Sequence, residues 1–238
     1  MKRTLYYQIH NLFIKLNLFA PLKYLLYYLE TLVYFAYFSK WLRVHKPSVL
    51  DNKKVEKNIT KRRFILHEKI FTNEELDKEI DYLEFGVASG TSIKWWSSAN
   101  KCENSKFYGF DTFVGLPEAW FHNKQGDFNQ DGNFPQIQDD RVNFIKGLYQ
   151  NTLFEFLKST TLNRKKVIHL DADLYSSTLF VLSTLHPHLK KDDVIIFDDF
   201  GYLMGEFRAL EHYSSSFYQK YKVIGAVNNY GQVAIKII

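Results

Sequence analysis

The sequence predicts an α/β fold: a doubly wound, mostly parallel sheet closed by a C-terminal antiparallel hairpin and preceded by an N-terminal helical extension. Three observations lead there. From residue 81 onward, apolar β-favouring segments alternate with helical ones. The first of them, Asp81-Tyr-Leu-Glu-Phe85, runs into a loop bracketed by Gly86 and Gly90, and Thr91-Ser-Ile-Lys-Trp-Trp96 then restarts as a helix. That strand, glycine loop, helix order lets backbone N–H groups and a helix dipole approach a polar ligand. Finally, strand after strand ends in an acid, on the edge where an open parallel sheet binds its ligands.

A chain of 238 residues suffices for one such domain with an extension. Cys102 is its single cysteine, which excludes an intrachain disulfide framework and any multi-cysteine metal site. The net charge of +5 conceals an asymmetry: residues 1–70 carry 14 Lys/Arg against 4 Asp/Glu, and the remainder 17 against 22. The basic character belongs to the leader and the acidic character to the domain.

Residues 1–63 read as a helical, basic and aromatic extension with a linker, and residues 64–238 as the domain. Within the extension, Leu12–Phe19 and Leu22–Trp41 are apolar runs separated by Pro21. A spanning helix needs about 20 mostly apolar residues, and Glu30 and Lys40 interrupt the second run. No small-residue cleavage site follows, which disfavours a signal peptide. The remaining readings are helices that cover the domain or a second subunit, which we prefer, and attachment to anionic lipid through Tyr, Trp and flanking Lys/Arg. Residues 46–63 are polar and basic and read as an exposed linker. Without a nucleic-acid motif beside it, that run implies a solvated face rather than a nucleic-acid partner. Phe64–Thr72 and Asn73–Ile80 read as short lead-in helices.

After the first strand and helix, Lys106–Asp111 forms a second strand ending in an acid. The excursion over 112–140, rich in Gly, Asn and Asp, is long for a compact domain and points to function. Strands over 141–146, 166–171 and 194–199 alternate with helices over 151–158, 176–189 and 205–218. Residues 221–226 and 232–238 close the sheet as a hairpin around Asn228-Asn-Tyr-Gly231.

Glu84, Asp111, Asp171 with Asp173, and Asp198 with Asp199 stand at or near the strand ends. Asp111 follows Gly86 by 25 residues, near the spacing of about 20 at which an acid meets a nucleoside ribose. That spacing fits NAD and S-adenosylmethionine (SAM) alike. However, Gly86-x-x-x-Gly90 lacks the middle glycine that admits a pyrophosphate, which favours a cofactor without one. The strands carrying Asp171 and Asp198-Asp199 are expected to be neighbours. Carboxylates converging there need a cation or a proton, and hard oxygen donors suit Mg²⁺, Mn²⁺ or Ca²⁺. The alternative is that these acids cap the following helices. His169, two residues below Asp171 on one face, reads as a packed side chain.

Glu84-Phe-Gly-Val-Ala-Ser-Gly90, Gly109-Phe-Asp-Thr-Phe-x-Gly-Leu-Pro-Glu118, Lys146-Gly-x-Tyr-x-x-Thr-Leu153, His169-Leu-Asp-Ala-Asp-Leu-Tyr-Ser176 and Asp198-Asp-Phe-Gly201 together resemble the TylF/MycF (macrocin-type) SAM-dependent O-methyltransferases. The resemblance covers residues 81–238. It implies a class I methyltransferase fold, SAM as donor, Mg²⁺ dependence and a sugar hydroxyl as acceptor. It places Glu84, Gly86 and Gly90, with Ala88, Ser89 and Thr91 between and beside them, at the SAM loop. Asp111, followed by Thr112, falls at the ribose, and Asp171, Asp198 and Asp199 at Mg²⁺. The Gly115-Leu-Pro117 loop falls in a lid. Asp171 is the first candidate for proton acceptor, with Asp173 and His122 behind it.

The leader is more aromatic and basic than expected of antibiotic-tailoring members, so the acceptor is expected to be a glycan, a glycolipid or a glycosylated small molecule. The expected setting is the cytoplasm, peripheral at the inner face of the membrane if residues 1–45 touch lipid, and a homo-oligomer is expected. Two other readings compete: a nucleotide-dependent oxidoreductase, disfavoured by the glycine loop, and a non-catalytic SAM-fold module recruited by its leader, which has no evident need for a carboxylate cluster.

Overall fold

Apolar side chains dominate both faces of the strand that leads into the glycine loop, because that strand is the centre of a two-sided sheet. In the computed structural model, which describes residues 3–47, 49–51 and 59–238, every residue of Ile80–Phe85 is buried. The chain divides into two units, residues 1–42 and 43–238.

The first unit is helical. It comprises α1 (Arg3–Leu16), none of whose residues is buried, and most of α2 (Phe19–Val44). Among the described residues, no helix is long and apolar enough to cross a membrane.

The second unit contains β1 (Val49–Asp51), α3 (Ile59–Asn73), β2 (Ile80–Phe85), α4 (Thr91–Ala99), β3 (Lys106–Asp111), β4 (Val142–Lys146), α5 (Tyr149–Ser159), β5 (Lys165–Leu170), α6 (Tyr175–Leu185), β6 (Val194–Phe197), α7 (Arg208–Ser216), β7 (Tyr221–Val227) and β8 (Gln232–Ile237). The sheet order is β1-β7-β8-β6-β5-β2-β3-β4. β2 through β6 pair in parallel, while β8 runs antiparallel to both β6 and β7. This is the expected doubly wound sheet with its terminal hairpin. The turn at the hairpin works because Asn228, Asn229 and Tyr230 all take positive φ.

Side-chain alternation in β2 divides the core. Tyr82 stacks on Trp96 of α4 with ring centroids 5.2 Å apart, beside Leu66 and Ile70 of α3. Phe85 faces the other way, meeting Phe110 at 4.7 Å and Tyr149 of α5 at 5.3 Å. α3 seats against β7 closely enough that a Cβ at Gly225 would stand 2.5 Å from Leu66.

Two expectations are corrected. The segment read as a linker over 46–63 is partly structured: Val49–Asp51 adds a parallel strand beside β7, and α3 begins at Ile59. Residues 48 and 52–58 of that segment lie outside the described residues. The physical reason is that α3 needs an early start to bring Arg62 and Arg63 into the domain, and both are at least partly buried despite their charge. The second lead-in helix does not form. Residues 74–79 are turns, with Glu75 at φ 53° and Leu76 buried, leading directly into β2.

Candidate active site

The ends of β2, β3, β5 and β6 form one edge because the ladder continues a residue past each strand. Gly86 N donates to Phe110 O, Asp171 N to Phe85 O and Asp198 N to Leu170 O, each at 2.9 Å. The acids are thereby set side by side. The far edge of the sheet also holds buried acids, but each has a basic partner: Asp81 with Arg164 at 2.9 Å and Asp193 with Lys166 at 3.1 Å.

Gly86 has φ 98°, and a Cβ there would stand 1.8 Å from the Asp171 carbonyl oxygen. Glycine is therefore required where β2 leaves the sheet. The loop is held by Asp111, whose Oδ2 accepts the N–H groups of Val87 and Ala88 at 2.8 Å, while Oδ1 accepts that of Phe113 at 2.7 Å. α4 follows with no side-chain cap. Thr91 Oγ1 pairs with Ser89 Oγ at 3.0 Å instead, and the first-turn N–H groups take no side-chain partner at the cap.

A cleft of about 420 Å³ opens above this edge. Gly86, Ala88, Asp111, Thr112, Asp171, Asp198 and Asp199 are on its wall. Of the residues the sequence points to, Glu84, Ser89, Gly90 and Thr91 are not. Glu84 is buried behind the loop, where its carboxylate accepts from Tyr82 OH. The 112–140 excursion supplies the opposite wall through Leu116, Pro117, Trp120 and Phe128. It is pinned by Leu116 N to Asp127 O and Gly126 N to Leu116 O, each 2.9 Å, and by buried Phe113 against Phe134. His122 is exposed in that excursion, against Phe121, and lies off the wall.

The acids form two clusters whose ligand atoms lie within 4.8 Å of one another: His169, Asp171 and Asp198, and Asp171, Asp173 and Asp199. Asp171 thus joins both, while Asp198 and Asp199 fall in different ones. Burial, followed by repulsion from Asp198, pushes the Asp171 carboxyl well above its ordinary pKa. Burial and then the Asp199 and Asp171 charges push Asp173 to about 10, and burial with the Asp198 charge pushes Asp199 to about 6. Glu206, fully buried, accepts the Asp199 N–H at 2.9 Å and is likewise raised, first by burial and then by the Asp199 charge. The helix-capping alternative fails locally, since α6 has no side-chain cap.

Two cationic groups stand against this charge among the described residues. His169 is buried between Tyr82 OH, 3.0 Å away, and Asp198 Oδ1 at 3.6 Å. Burial alone would lower its pKa, but Asp198 and Glu84 lift it to about 9. Arg63 reaches Asp171 Oδ2 at 3.3 Å and bonds Asp198 Oδ2 with its other terminal nitrogen. Sequence reasoning missed Arg63 because it sits in a basic run that reads as solvated. The available signal was its place one turn before Leu66 and Ile70 on an apolar helix face. It also missed Tyr149, which lines the cleft from the first turn of α5.

The strand order and the cleft at the strands' C-terminal edge define a class I, Rossmann-like methyltransferase fold. Residues 83–200 match a family described as a methyltransferase domain. Over 65 residues the chain is 39% identical to 8-demethyl-8-(2,3-dimethoxy-alpha-L-rhamnosyl)-tetracenomycin-C 4'-O-methyltransferase of Streptomyces olivaceus. That match covers 27% of this chain and 23% of the relative, so it spans about a quarter of either protein.

Among solved structures, CalS11, a calicheamicin methyltransferase, superposes with a TM-score of 0.59 at 18% identity, covering 76% of this chain and 80% of that one. The O-methyltransferase NovP gives 0.53 at 18% identity, with 76% and 79% covered. An O-methyltransferase from Bacillus cereus in complex with SAH gives 0.51 at 13% identity, with 78% and 84% covered. These likenesses show the shared fold.

Proposed function

We propose that this protein transfers the methyl group of SAM to a sugar hydroxyl, as in TylF/MycF-type enzymes, with a bound divalent cation such as Mg²⁺. One observation carries the reading: the glycine loop held by Asp111 and an acid cluster in excess of its cations share one cleft. The sugar-modifying relative supports the acceptor class.

In this reading the main chain at Gly86 and Ala88, with Thr112, would border the donor, and Asp111 would offer its remaining lone pairs to the ribose. Glu84, Ser89, Gly90 and Thr91 would shape the loop from behind. Asp171, Asp198 and Asp199, joined by Asp173, fit a hard cation. Burial and then neighbouring charge raise the Asp171, Asp173 and Asp199 carboxyls, and Asp198 Oδ1 is buried without a hydrogen-bond partner. A divalent cation there would lower the pKa of an acceptor hydroxyl bound to it. Asp171, on the cleft wall with a raised pKa, would take the proton. The Leu116, Pro117, Trp120 and Phe128 wall would exclude water from the transfer.

The test is transfer of labelled methyl from SAM to a panel of sugar-bearing acceptors, with and without chelator. Transfer that requires a divalent cation supports the reading. Transfer unaffected by chelator contradicts the metal role, and none on any sugar contradicts the acceptor class.

Residues 1–42 are read as an assembly unit that pairs copies of the chain, because apolar side chains such as Tyr6, Leu12, Ile14, Tyr24 and Phe35 are exposed along α1 and α2. Contact with anionic lipid is the second reading. It is favoured by Arg3, Lys15, Lys23 and Lys40 against a single acid, Glu30, among the described residues of this unit. On that reading the protein works in the cytoplasm at the inner face of the membrane.

A further inference from the structure

The Arg63 side chain enters the acid cluster from α3 and divides it. Nη1 lies 3.3 Å from Asp171 Oδ2 and 3.5 Å from Ser92 Oγ, and Nη2 bonds Asp198 Oδ2. The other Asp198 oxygen faces His169 Nε2 at 3.6 Å. Asp198 therefore stands between the Arg63 guanidinium and the His169 ring and is 2% exposed. Asp173 and Asp199 stand with Asp171 in the second cluster, which Arg63 meets through Asp171.

We propose that Arg63 is an internal counter-cation that competes with the divalent ion for Asp171 and Asp198 and keeps the ion's affinity modest. The inference rests on the metal role proposed above. A guanidinium is always charged and its planar fork suits two carboxylate oxygens, so it occupies these acids as a fixed charge that no change of pH removes. A second, doubly charged ion within a few ångströms is repelled by it. Removing the guanidinium leaves Asp171 and Asp198 without that partner, and a divalent ion is then drawn to both clusters at once.

The probe is Mn²⁺, titrated into the full chain and Arg63→Gln and followed by the loss of free-Mn²⁺ resonance, with SAH binding measured on the same samples. Arg63→Gln is expected to bind Mn²⁺ at least about tenfold tighter than the unaltered chain. Equal or weaker Mn²⁺ binding in Arg63→Gln, with Mn²⁺ binding intact in the unaltered chain, overturns the inference and leaves the metal role standing. Absence of Mn²⁺ binding in both, with SAH still bound, overturns both the metal role and this inference. If Arg63→Gln does not fold, the unaltered chain decides. Arg63 Nε is buried without a hydrogen-bond partner, so its N–H signal is a local reporter. A shift of that signal on adding Mg²⁺ supports the competition, and an unmoved signal when Mg²⁺ binds overturns it.

Discussion

Asp111 accepts the main-chain N–H of Ala88 at 2.8 Å, so the acid that ends β3 holds the glycine loop that leaves β2. The same carboxylate takes the Val87 and Phe113 N–H groups. A residue expected to bind ribose is thus also the anchor of the surface on which the cofactor would lie.

Asp111→Asn should therefore weaken SAH binding by at least about tenfold, since a charge-assisted acceptor of loop amides is lost and an N–H₂ group is turned toward donors. Calorimetric titration measures this. Unchanged affinity would remove Asp111 from the cofactor site.

Gly86→Ala should destabilise the fold by about 3 kcal/mol or more. The new methyl would meet the Asp171 carbonyl at 1.8 Å, in a left-handed backbone conformation that L side chains rarely adopt. Denaturant unfolding reads the loss. A melting curve close to that of the unaltered chain would mean that the β2 and β5 ends can separate.

Asp171→Asn should reduce methyl transfer by about 10²-fold or more while SAH affinity changes by less than about threefold, because Asp111 and the loop are untouched. Turnover assays beside the same titration separate the two. Full activity would exclude Asp171 as the proton acceptor.

The central order of the domain was legible in the sequence because each strand is both apolar and punctuated: Gly86 after β2, Asp111 after β3 and Asp171 after β5 mark their own ends. The hairpin was equally plain from Asn228 to Gly231. What the sequence hid was long-range charge. Arg63 lies 108 residues from Asp171 and 135 from Asp198, and its place one turn before Leu66 does not separate it from its neighbour Arg62. The pairing of Val49–Asp51 with β7 was hidden for the same reason, since a three-residue edge strand has no periodicity to read. Asp173 was seen as an acid at a strand end, but its nearness to Asp199 depends on a backbone turn, with φ 57° at Asp173, that no local pattern announces.

Deleting residues 1–42 should leave the 43–238 unit able to bind SAH within about threefold, since every cleft residue lies in that unit. Light scattering on the eluted protein should show a smaller assembly than the full chain. An unchanged assembly size, together with unchanged partition to anionic vesicles, would remove both roles proposed for α1 and α2.

The most direct test of the central claim is calorimetric titration of SAH into the full chain, first with Mg²⁺ and then with chelator, with NAD as the competing ligand. The cleft geometry predicts that SAH binds under both conditions and that NAD does not, the ion being needed for transfer rather than for cofactor binding. Binding of NAD with no binding of SAH under either condition would contradict the assignment of the Gly86–Gly90 loop and the methyltransferase reading built on it.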